Sequence, residues 1–492
     1  MYSFHRLAVA SASLALCGAS SLAFAQATLP TLVDPKLGVR AVVSGLAQPT
    51  QMAFLSANDF LVLEKATGQV KRVVSGRVQS IVLDLAVNSV GERGLLSIAL
   101  HPDFPRNPGV YLYWTQSSTG FDSEDVAAVT LLANRVDRFI WTGSALVFER
   151  NIISTRCFED DAAVPQFPFH DAGVIRFAPP NKKEKDKTAK LFIALGDAGR
   201  RGYMQNNLQG PVPDDQFGGP QPDDAHLRGV VLRVNDDGST PPDNPFFAAG
   251  SGIAGQFGAN VQKLFAYGIR NSFGMDFEPK TGELWMAENG DDSFTEINRV
   301  LPGHNGGWIQ VMGPLSRIAE YKQIETTLGA GTLHQLRWPP SLIANTPAEA
   351  QQRMYTLPGS HYSDPQFSWK YEVPPAGMGF MRGGSLGKQY DGNLFVASGI
   401  ASAPASGVPG AKPLGGQLFR FKLASDRSDL RFNDPRLNDR VADNLDKRDT
   451  TESESLLFGF GFGIGADVLT GPHGNLFVVS LTDGTVYEIF RK

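Results

Sequence analysis

A two-strand unit recurs along the chain, and this repeat constrains the fold more than any other feature of the sequence. Each unit begins with an apolar strand of the type L-[FWY] and continues into a second strand rich in aromatic and β-branched residues. In three units a glycine stands directly before the strand, where a turn needs a positive φ. The six units occupy residues 60–74, 110–140, 190–236, 283–301, 393–423 and 475–491.

One pair of strands cannot bury both of its faces, so units of this kind must stack on one another. Radial stacking in a propeller leaves only short strand edges exposed. The repeat therefore predicts an all-β fold, a six-bladed β-propeller of four-stranded antiparallel blades; a β-sandwich or a pair of barrels is the alternative. The absence of a Pro/Gly/Ser linker favours a single domain over 26–492, and the segment 38–46 can add an outer strand to the last blade.

The first 25 residues have the pattern of an export signal. Arg6 supplies the positive charge, an apolar stretch rich in small residues follows, and Ala23-Phe24-Ala25 forms an A-x-A cleavage site. We therefore predict a signal peptide over 1–25 and a periplasmic or secreted mature protein. Its removal leaves Cys157 as the single remaining cysteine, so a large core rather than a disulfide is expected to hold the fold.

The charge pattern limits the partners that this chain can take. A formal net charge of −5 without a basic stripe argues against nucleic acid. No later apolar run reaches the roughly 20 residues of a membrane span, which leaves small molecules or cations. Three long insertions are expected to lie on one face and shape a site. They cover 199–226, 310–366 and 424–456, the last being highly charged and expected to be a solvated loop.

Familiar catalytic signatures are absent or poorly placed. No phosphate-binding G-x-x-x-x-G-K-[ST] loop occurs, and GFGFGIG at 459–465 has glycines at every second position without a following helix. GGSLG at 383–387 has the letters of a nucleophile elbow but leads into a strand, so Ser385 is not expected to be a nucleophile. The histidines do not have the spacing of zinc ligands.

His170 and the segment 266–308 are the candidates for chemistry. His170 precedes a strand, where a rigid scaffold can hold a loop residue, although a purely structural role is the alternative. Arg270-Asn271 offers a planar cation beside an amide, a pair suited to carboxylates or carbonyls. The acidic residues that follow suit Ca²⁺, and a solvated acidic turn explains them equally well. They are Glu288, Asp291, Asp292 and Glu296.

Longer segments of the chain together resemble the soluble quinoprotein sugar dehydrogenases of the glucose/sorbosone dehydrogenase family. Each segment alone is weak, but their order and combination are specific. They are GERGLLSIALHPDFPRNPGVYLYWT (91–115), HDAGVIRF (170–177) with LFIALGDAG (191–199), LRGVVLRVNDDGSTPPDNPFF (227–247), YGIRNSFGMDFEPKTGELWMAENG (267–290), EINRVLPGHNGGW (296–308) and DVLTGPHGNLFVVSLTDGTVYEI (467–489). The resemblance implies a six-bladed propeller that binds pyrroloquinoline quinone (PQQ) and Ca²⁺.

The resemblance also implies roles for single residues around the quinone. His170 would be the general base that takes the proton from the sugar hydroxyl while hydride passes to the quinone, since an imidazole can accept a proton near neutral pH. Glu92 would lie beside the substrate, where the family has a glutamine. Arg270 and Asn271 would hold and polarise the quinone.

Two calcium sites are implied in the same way. The carbonyls of Gly290 and Asp291 would bind the cofactor-side Ca²⁺, and Glu296 with the carbonyl of Gly306 would form a second, structural site. Gly306 stands where the family has a tyrosine, and Thr295 where it has an acid.

The chain departs from the family at the positions of three cations that meet the carboxylates of PQQ. Instead of a lysine after the strand of the fifth blade it has Ile400-Ala401-Ser402, and instead of two arginines before Asp467 it has Ile464-Gly465-Ala466. Each lost partner weakens carboxylate binding by about 2 kcal/mol. Lys412 or an arginine of an insertion is a candidate to compensate.

From these features we expect a periplasmic PQQ- and Ca²⁺-dependent dehydrogenase that oxidises an aldose or related sugar alcohol group, with an external electron acceptor that the sequence does not identify. Two alternatives remain open. One is a relative that has lost PQQ and hydrolyses a lactone or ester through a metal-activated water. The other is a non-catalytic, calcium-stabilised binding protein.

Overall fold

The computed structural model describes residues 29–158, 168–180, 188–198, 227–328 and 340–492. The predicted signal peptide 1–25 and the insertion 199–226 lie outside the described residues, as do residues 329–339 of the second insertion.

The first half of the chain forms three sheets in sequence order, after two strands that pair with later parts of the chain. The two leading strands are β1 (Thr31–Leu32) and β2 (Leu37–Val43). The first sheet contains β3 (Pro49–Ser56), β4 (Asp59–Glu64), β5 (Gln69–Val74) and β6 (Arg77–Asp84). The second contains β7 (Leu95–Leu100), β8 (Gly109–Thr115), β9 (Asn134–Trp141) and β10 (Leu146–Thr155). The third contains β11 (Ala172–Phe177), β12 (Lys190–Leu195), β13 (Val230–Asn235) and β14 (Leu264–Tyr267).

The second half forms three further sheets and adds short strands to the third and fourth. The fourth sheet contains β15 (Gly274–Phe277), β16 (Leu284–Glu288) and β17 (Ser293–Val300), while β18 (His304–Asn305) and β19 (His361–Tyr362) extend the third. The fourth is completed by β20 (Phe367–Tyr371). The fifth contains β21 (Pro375–Phe380), β22 (Leu394–Ser398) and β23 (Leu418–Leu423), with β24 (Leu430–Arg431) on β23. The short strand β25 (Val441–Ala442) pairs with β20 and so extends the fourth sheet. The fifth closes with β26 (Leu457–Phe460) and β1. The sixth contains β27 (Gly465–Thr470), β28 (Leu476–Ser480), β29 (Thr485–Arg491) and β2.

The first strands of successive sheets contact one another in a ring that runs β3, β7, β11, β15, β21, β27 and back to β3. Each sheet has four antiparallel strands at its centre. The N-terminal β2 pairs antiparallel with β29 near the C-terminus, with Leu37 opposite Arg491, and so supplies the outer strand of the last sheet as predicted. The prediction of an all-β propeller with four-stranded antiparallel blades is confirmed.

On the second strand of each sheet, consecutive side chains pack against the two different sheets on either side. In β4, Leu61 packs toward the second sheet and Val62 toward the sixth. In β12, Ile193 packs toward the second sheet and Phe192 toward the fourth. Because side chains alternate along a strand, the period-2 apolar pattern fills both interfaces of every blade. The same alternation occurs at Leu112 and Tyr113, Trp285 and Met286, Phe395 and Val396, and Val478 and Val479.

Helices are short and lie in the connections. They are α1 (Phe247–Ser251), α2 (Gly255–Val261), α3 (Ile318–Thr327) and α4 (Pro347–Arg353), with 3₁₀ turns at Leu315–Arg317, Pro340–Leu342, Pro435–Leu437 and Glu454–Leu456. Within the described ranges, no helix is long and apolar enough to cross a membrane. The second insertion contains α3 and α4, which pack around Trp308 and Ile309 in a core of their own.

The expectation of a solvated loop over 424–456 is wrong. This insertion adds β24 and β25 to two sheets and buries polar residues that fix its backbone. The side-chain oxygen Oδ1 of Asn444 accepts a hydrogen bond from the Tyr371 amide at 2.8 Å, and Oδ2 of Asp449 accepts one from the Leu445 amide at 2.8 Å. Ion pairs within the insertion and with other parts of the chain, such as those of Asp443 with Arg317 and Arg427 with Glu278, account for much of the charge that suggested solvation.

Candidate active site

The hairpin β11–β12 brings His170 and Asp197 together. The register pairs Ala172 with Leu195, so the residues just before β11 and just after β12 share one end of the hairpin. Nδ1 of His170 lies 2.6 Å from Oδ1 of Asp197, which is fully buried. The indole Nε1 of Trp308 donates to the other carboxylate oxygen at 2.8 Å. Asp197 thus holds the imidazole in one orientation and stabilises its Nδ1–H tautomer, which makes Nε2 the basic nitrogen.

The backbone of His170 is held in the left-handed region, with φ at 60°. Such a conformation costs a non-glycine residue about 1 kcal/mol and persists only where neighbours enforce it. Here Oε2 of Glu92 accepts the His170 amide at 2.7 Å, and a guanidinium nitrogen of Arg228 donates to the His170 carbonyl at 3.0 Å. His170 is therefore fixed through its backbone as well as its ring.

Glu92 joins His170 to the Arg270-Asn271 pair. Its Oε2 also accepts a hydrogen bond from Nδ2 of Asn271 at 3.2 Å. Burial raises the pKa of the Glu92 carboxyl, an effect that the proximity of His170 opposes. The other amide atom of Asn271, Oδ1, is buried and has no hydrogen-bond partner among the residues described.

Arg270 is buried, with 3% of its surface exposed, and is paired on several sides. Its Nη2 lies 2.7 Å from Oδ1 of Asp291, its Nη1 donates to the Asn289 carbonyl at 3.0 Å, and its guanidinium carbon lies 5.4 Å from the centre of the Trp308 ring. The charge of Arg270 is therefore balanced by Asp291 and aligned by an aromatic face.

These residues line one cavity of about 490 Å³, a volume typical of small-molecule sites. Six of the eight predicted site residues lie on its wall: Glu92, His170, Arg270, Asn271, Gly290 and Asp291. Apolar residues such as Phe273, Pro374 and Leu481 complete the lining. The wall also contains Ile464 and Ala466, so the positions where the resemblance expects arginines do face this cavity.

Three cations that the sequence analysis did not select line the same cavity: Lys65, Lys447 and Arg448. Nζ of Lys65 donates to the Ser89 carbonyl at 2.7 Å, and burial lowers the pKa of this lysine. Lys412, the named candidate for compensation, instead pairs with Glu454 and is 66% exposed. The lining cations come instead from the first blade, with Lys65, and from the third insertion, with Lys447 and Arg448. No sequence motif indicated any of the three.

Glu296 and Gly306 are the two predicted site residues outside the cavity wall. Glu296 stands directly opposite Glu288 across β16 and β17. Burial raises the pKa of Glu296 to about 7 and that of Glu288 well above its ordinary value, the charge of Glu296 adding to the second effect. Oε2 of Glu288 is buried without a hydrogen-bond partner in the described part of the chain. Gly306 lies so close to Gly268 that a Cβ would be 2.5 Å from the Gly268 carbonyl oxygen.

A second acidic group lies behind Arg270. Asp291, Asp292 and Glu325 each offer a carboxylate oxygen, and these atoms lie within 4.8 Å of one another. Burial, followed by the charge of Asp291, raises the pKa of Glu325 to about 8. Asp291 is paired with Arg270, and Asp292 with Nζ of Lys447 at 2.7 Å. Side-chain cations thus balance two of the three carboxylates, those of Asp291 and Asp292.

Comparison with known proteins gives the same family for more than half of the chain. The sequence model of the family described as Glucose / Sorbosone dehydrogenase matches residues 46–330. Quinoprotein glucose dehydrogenase B of Acinetobacter calcoaceticus is 29% identical over 283 residues, which cover 56% of this chain and 52% of that protein. The aldose sugar dehydrogenase YliI of Escherichia coli K12 is 28% identical over 297 residues, 60% of this chain and 65% of that protein. The matches thus span about half to two thirds of the length of these relatives.

Solved structures are similar over nearly the whole chain. An oxidoreductase of Thermus thermophilus described as a glucose dehydrogenase matches with a TM-score of 0.58 and 25% identity, covering 92% of this chain and all of that one. The PQQ-bound aldose sugar dehydrogenase of Streptomyces coelicolor matches with a TM-score of 0.53 and 20% identity, covering 94% and 99%. At 20% identity, the similarity to the Streptomyces coelicolor structure shows a shared fold and nothing more.

Proposed function

The chain belongs to the glucose/sorbosone dehydrogenase family, and we propose that it is a six-bladed propeller enzyme that oxidises an aldose or related sugar alcohol group with PQQ as hydride acceptor. In the part of the chain that the structure describes, six sheets have first strands that contact one another in a ring, which supports this number of blades. The A-x-A pattern at 23–25 supports a signal peptide and a periplasmic or secreted location.

The pairing of His170 with Asp197 at the cavity wall is the observation that carries this proposal. With Nδ1–H donated to Asp197, Nε2 of His170 is the nitrogen that accepts the proton of the substrate hydroxyl. Positive charge that develops on the imidazole is stabilised by the buried Asp197 carboxylate. Glu92, which holds the His170 amide and borders the cavity, is placed to accept a hydrogen bond from a second sugar hydroxyl.

The polar groups of the cavity fit a planar quinone that carries several carboxylates. Arg270 and Asn271 offer hydrogen-bond donors, and Asn271 also has a buried, unpartnered Oδ1 among the residues described. Lys65, Lys447 and Arg448 bring positive charge to the same wall. Bound PQQ would supply the electrophilic quinone carbon that takes the hydride, while the apolar lining excludes water from the reacting atoms.

Calcium fits the site predicted at Glu296 and Gly306 better than the cofactor-side site predicted at Gly290 and Asp291. Two buried carboxylates directly opposite each other, Glu288 and Glu296, need a cation or protons for neutrality, and this supports Ca²⁺ at Glu296 with the carbonyl of Gly306. On the cofactor side, Nζ of Lys447 lies 3.2 Å from the Asp291 carbonyl oxygen. Calcium bound by Gly290 and Asp291 therefore requires this ammonium group to move.

The two alternatives have less support. A metal-dependent lactonase needs carboxylates directed at a metal in the cavity, whereas Arg270 and Lys447 already hold the carboxylates of Asp291 and Asp292. In a non-catalytic binding protein, the hydrogen bond of the buried Asp197 to His170 would have no catalytic purpose.

The test uses the mature chain, reconstituted with PQQ and Ca²⁺ and assayed with a panel of aldoses and an artificial electron acceptor. His170→Ala is expected to lower kcat by about 100- to 10,000-fold and to leave PQQ affinity nearly unchanged. His473→Ala, which changes an exposed histidine in a turn, is the matched control. Absence of turnover in the wild type, together with chelator-sensitive lactone hydrolysis, would favour the lactonase alternative.

A further inference from the structure

The third insertion brings two adjacent cations, Lys447 and Arg448, to the wall of the candidate active-site cavity. They lie in the turn region after β25. The two residues differ in their pairing. Nζ of Lys447 contacts Asp292 at 2.7 Å and Glu372 at 3.1 Å, whereas the side chain of Arg448 makes no hydrogen bond or ion pair with the residues described.

The guanidinium of Arg448 is a lining cation without an ion-pair partner among the described residues. Its Nε is buried without a partner in the described part of the chain. Burial raises the pKa of the Glu372 carboxyl, an effect that the charge of Lys447 and, more weakly, that of Arg448 oppose; the ion pair of this carboxylate is with Lys447. A buried donor without an acceptor is costly, and a guanidinium is best satisfied by two oxygens of one carboxylate. Arg448 on a cavity wall therefore indicates a ligand with a carboxylate group.

The backbone at this position is fixed on both sides. The Arg448 amide donates to the Glu372 carbonyl at 2.7 Å, and φ of Arg448 is 69°. Next to it, Lys447 also donates to the Asp291 carbonyl at 3.2 Å. These contacts tie the insertion to Asp291 and Glu372 and fix the backbone from which Arg448 reaches the cavity wall.

The rest of the wall explains why a cation from an insertion is needed. Ile464 and Ala466 line the cavity with side chains that cannot bind an anion, and Gly399 precedes the uncharged residues 400–402. Arg270 is already paired with Asp291. Among the described lining residues, Arg448 is thus the arginine without an ion-pair partner that a carboxylate entering this cavity would meet.

We propose that Arg448 binds a carboxylate of the ligand in this cavity and that Lys447 is a positioning residue that holds Arg448 in place. Where the ligand is PQQ, the proposal rests on the proposed function. It assigns cofactor recognition to the third insertion instead of the fifth and sixth blades.

The experiment is a binding titration of the full mature chain, followed by tryptophan fluorescence or by the absorption of PQQ. Arg448→Gln is expected to raise the Kd for PQQ by about 10- to 100-fold, and Arg448→Lys by less. Arg440→Gln is the matched control because Arg440 lies in the same insertion with φ at 67° but outside the cavity wall. Its Kd should stay within about twofold of the wild type. Wild-type affinity in a folded Arg448→Gln variant would overturn the proposal.

A second probe separates this proposal from the proposed function. Benzene-1,3,5-tricarboxylate offers carboxylates without a quinone. If the wild type binds it in an Arg448-dependent way but does not bind PQQ, the carboxylate site stands and the quinoprotein function fails. If the wild type binds neither, both are overturned. For Lys447, the loss of affinity in Arg448→Gln should not deepen when Lys447→Met is added, because a positioning residue has no effect once Arg448 is gone; additive losses would contradict the positioning role.

Discussion

Nδ1 of His170 and Oδ1 of Asp197 are 2.6 Å apart at the open end of the β11–β12 hairpin. The carboxylate is fully buried, and its second oxygen accepts the indole N–H of Trp308 at 2.8 Å. Because the contact fixes which imidazole nitrogen is basic, it gives His170 a defined direction for the proposed role of general base.

Asp197→Asn is expected to lower kcat by about 10- to 100-fold with little change in PQQ affinity, since the amide keeps the shape but loses the charge that stabilises the imidazolium. Steady-state kinetics and a PQQ titration test this. Asp137→Asn is the matched control, because Asp137 is also buried and accepts an indole N–H, that of Trp114, at 2.8 Å outside the cavity. Equal losses of kcat in the two variants would contradict the positioning role of Asp197.

Glu92→Gln should alter the pH dependence of stability. The folded-state pKa of Glu92 is raised above its ordinary 4.5 by burial. The folded protein therefore binds more protons than the unfolded chain between these two pKa values. The stability that Glu92 contributes is complete below the unfolded pKa and is lost as pH rises through the folded pKa. Urea unfolding at pH 5 and pH 8 should show the variant gaining stability relative to wild type at the higher pH; a pH-independent difference would refute this.

Cys157 is expected to resist thiol reagents in the folded state. Burial raises the pKa of its thiol to about 12, and Sγ lies 3.2 Å from the Thr130 carbonyl oxygen. At pH 8 the mature chain should react with a chromogenic disulfide at least about 100-fold more slowly when folded than in urea. Rapid labelling of folded protein would show that Cys157 is accessible.

Calcium is expected to raise the melting temperature through Glu296. A ligand present at 100 times its Kd stabilises the folded state by about 2.7 kcal/mol. Glu296→Gln should remove the response, because it removes charge from the buried Glu288 and Glu296 pair. Glu325→Gln, which changes the acidic group behind Arg270, should keep it. An unchanged calcium response in Glu296→Gln would place the cation elsewhere.

Local sequence patterns predicted much of the fold and part of the site. The propeller followed from alternating apolar residues, since pairs such as Phe192 and Ile193 fill the two faces of one blade. His170 and Arg270 could be selected because each stands at a strand end inside a polar stretch. The structure places them on one cavity wall, and their roles there remain predictions.

The cations of the third insertion could not be found in the same way. Lys447 and Arg448 are separated from Asp291 by more than 150 positions in the chain and lie in a segment rich in both charges. Composition there suggested solvent, whereas the buried Asn444 and Asp449 fold the segment onto the site. Asp197 was missed for another reason: it lies in a glycine-rich strand end whose partner, Trp308, comes from a distant part of the chain.

A single-turnover experiment tests the central claim most directly. The mature chain is loaded with one equivalent of PQQ in the presence of Ca²⁺, freed of unbound cofactor, and mixed with an aldose in the absence of an electron acceptor while the PQQ absorption is recorded. We predict that the wild type converts its bound quinone to the reduced form and that loaded His170→Ala does so at least about 100-fold more slowly. A wild type that retains no PQQ, or a His170→Ala variant that is reduced at the wild-type rate, would contradict the account.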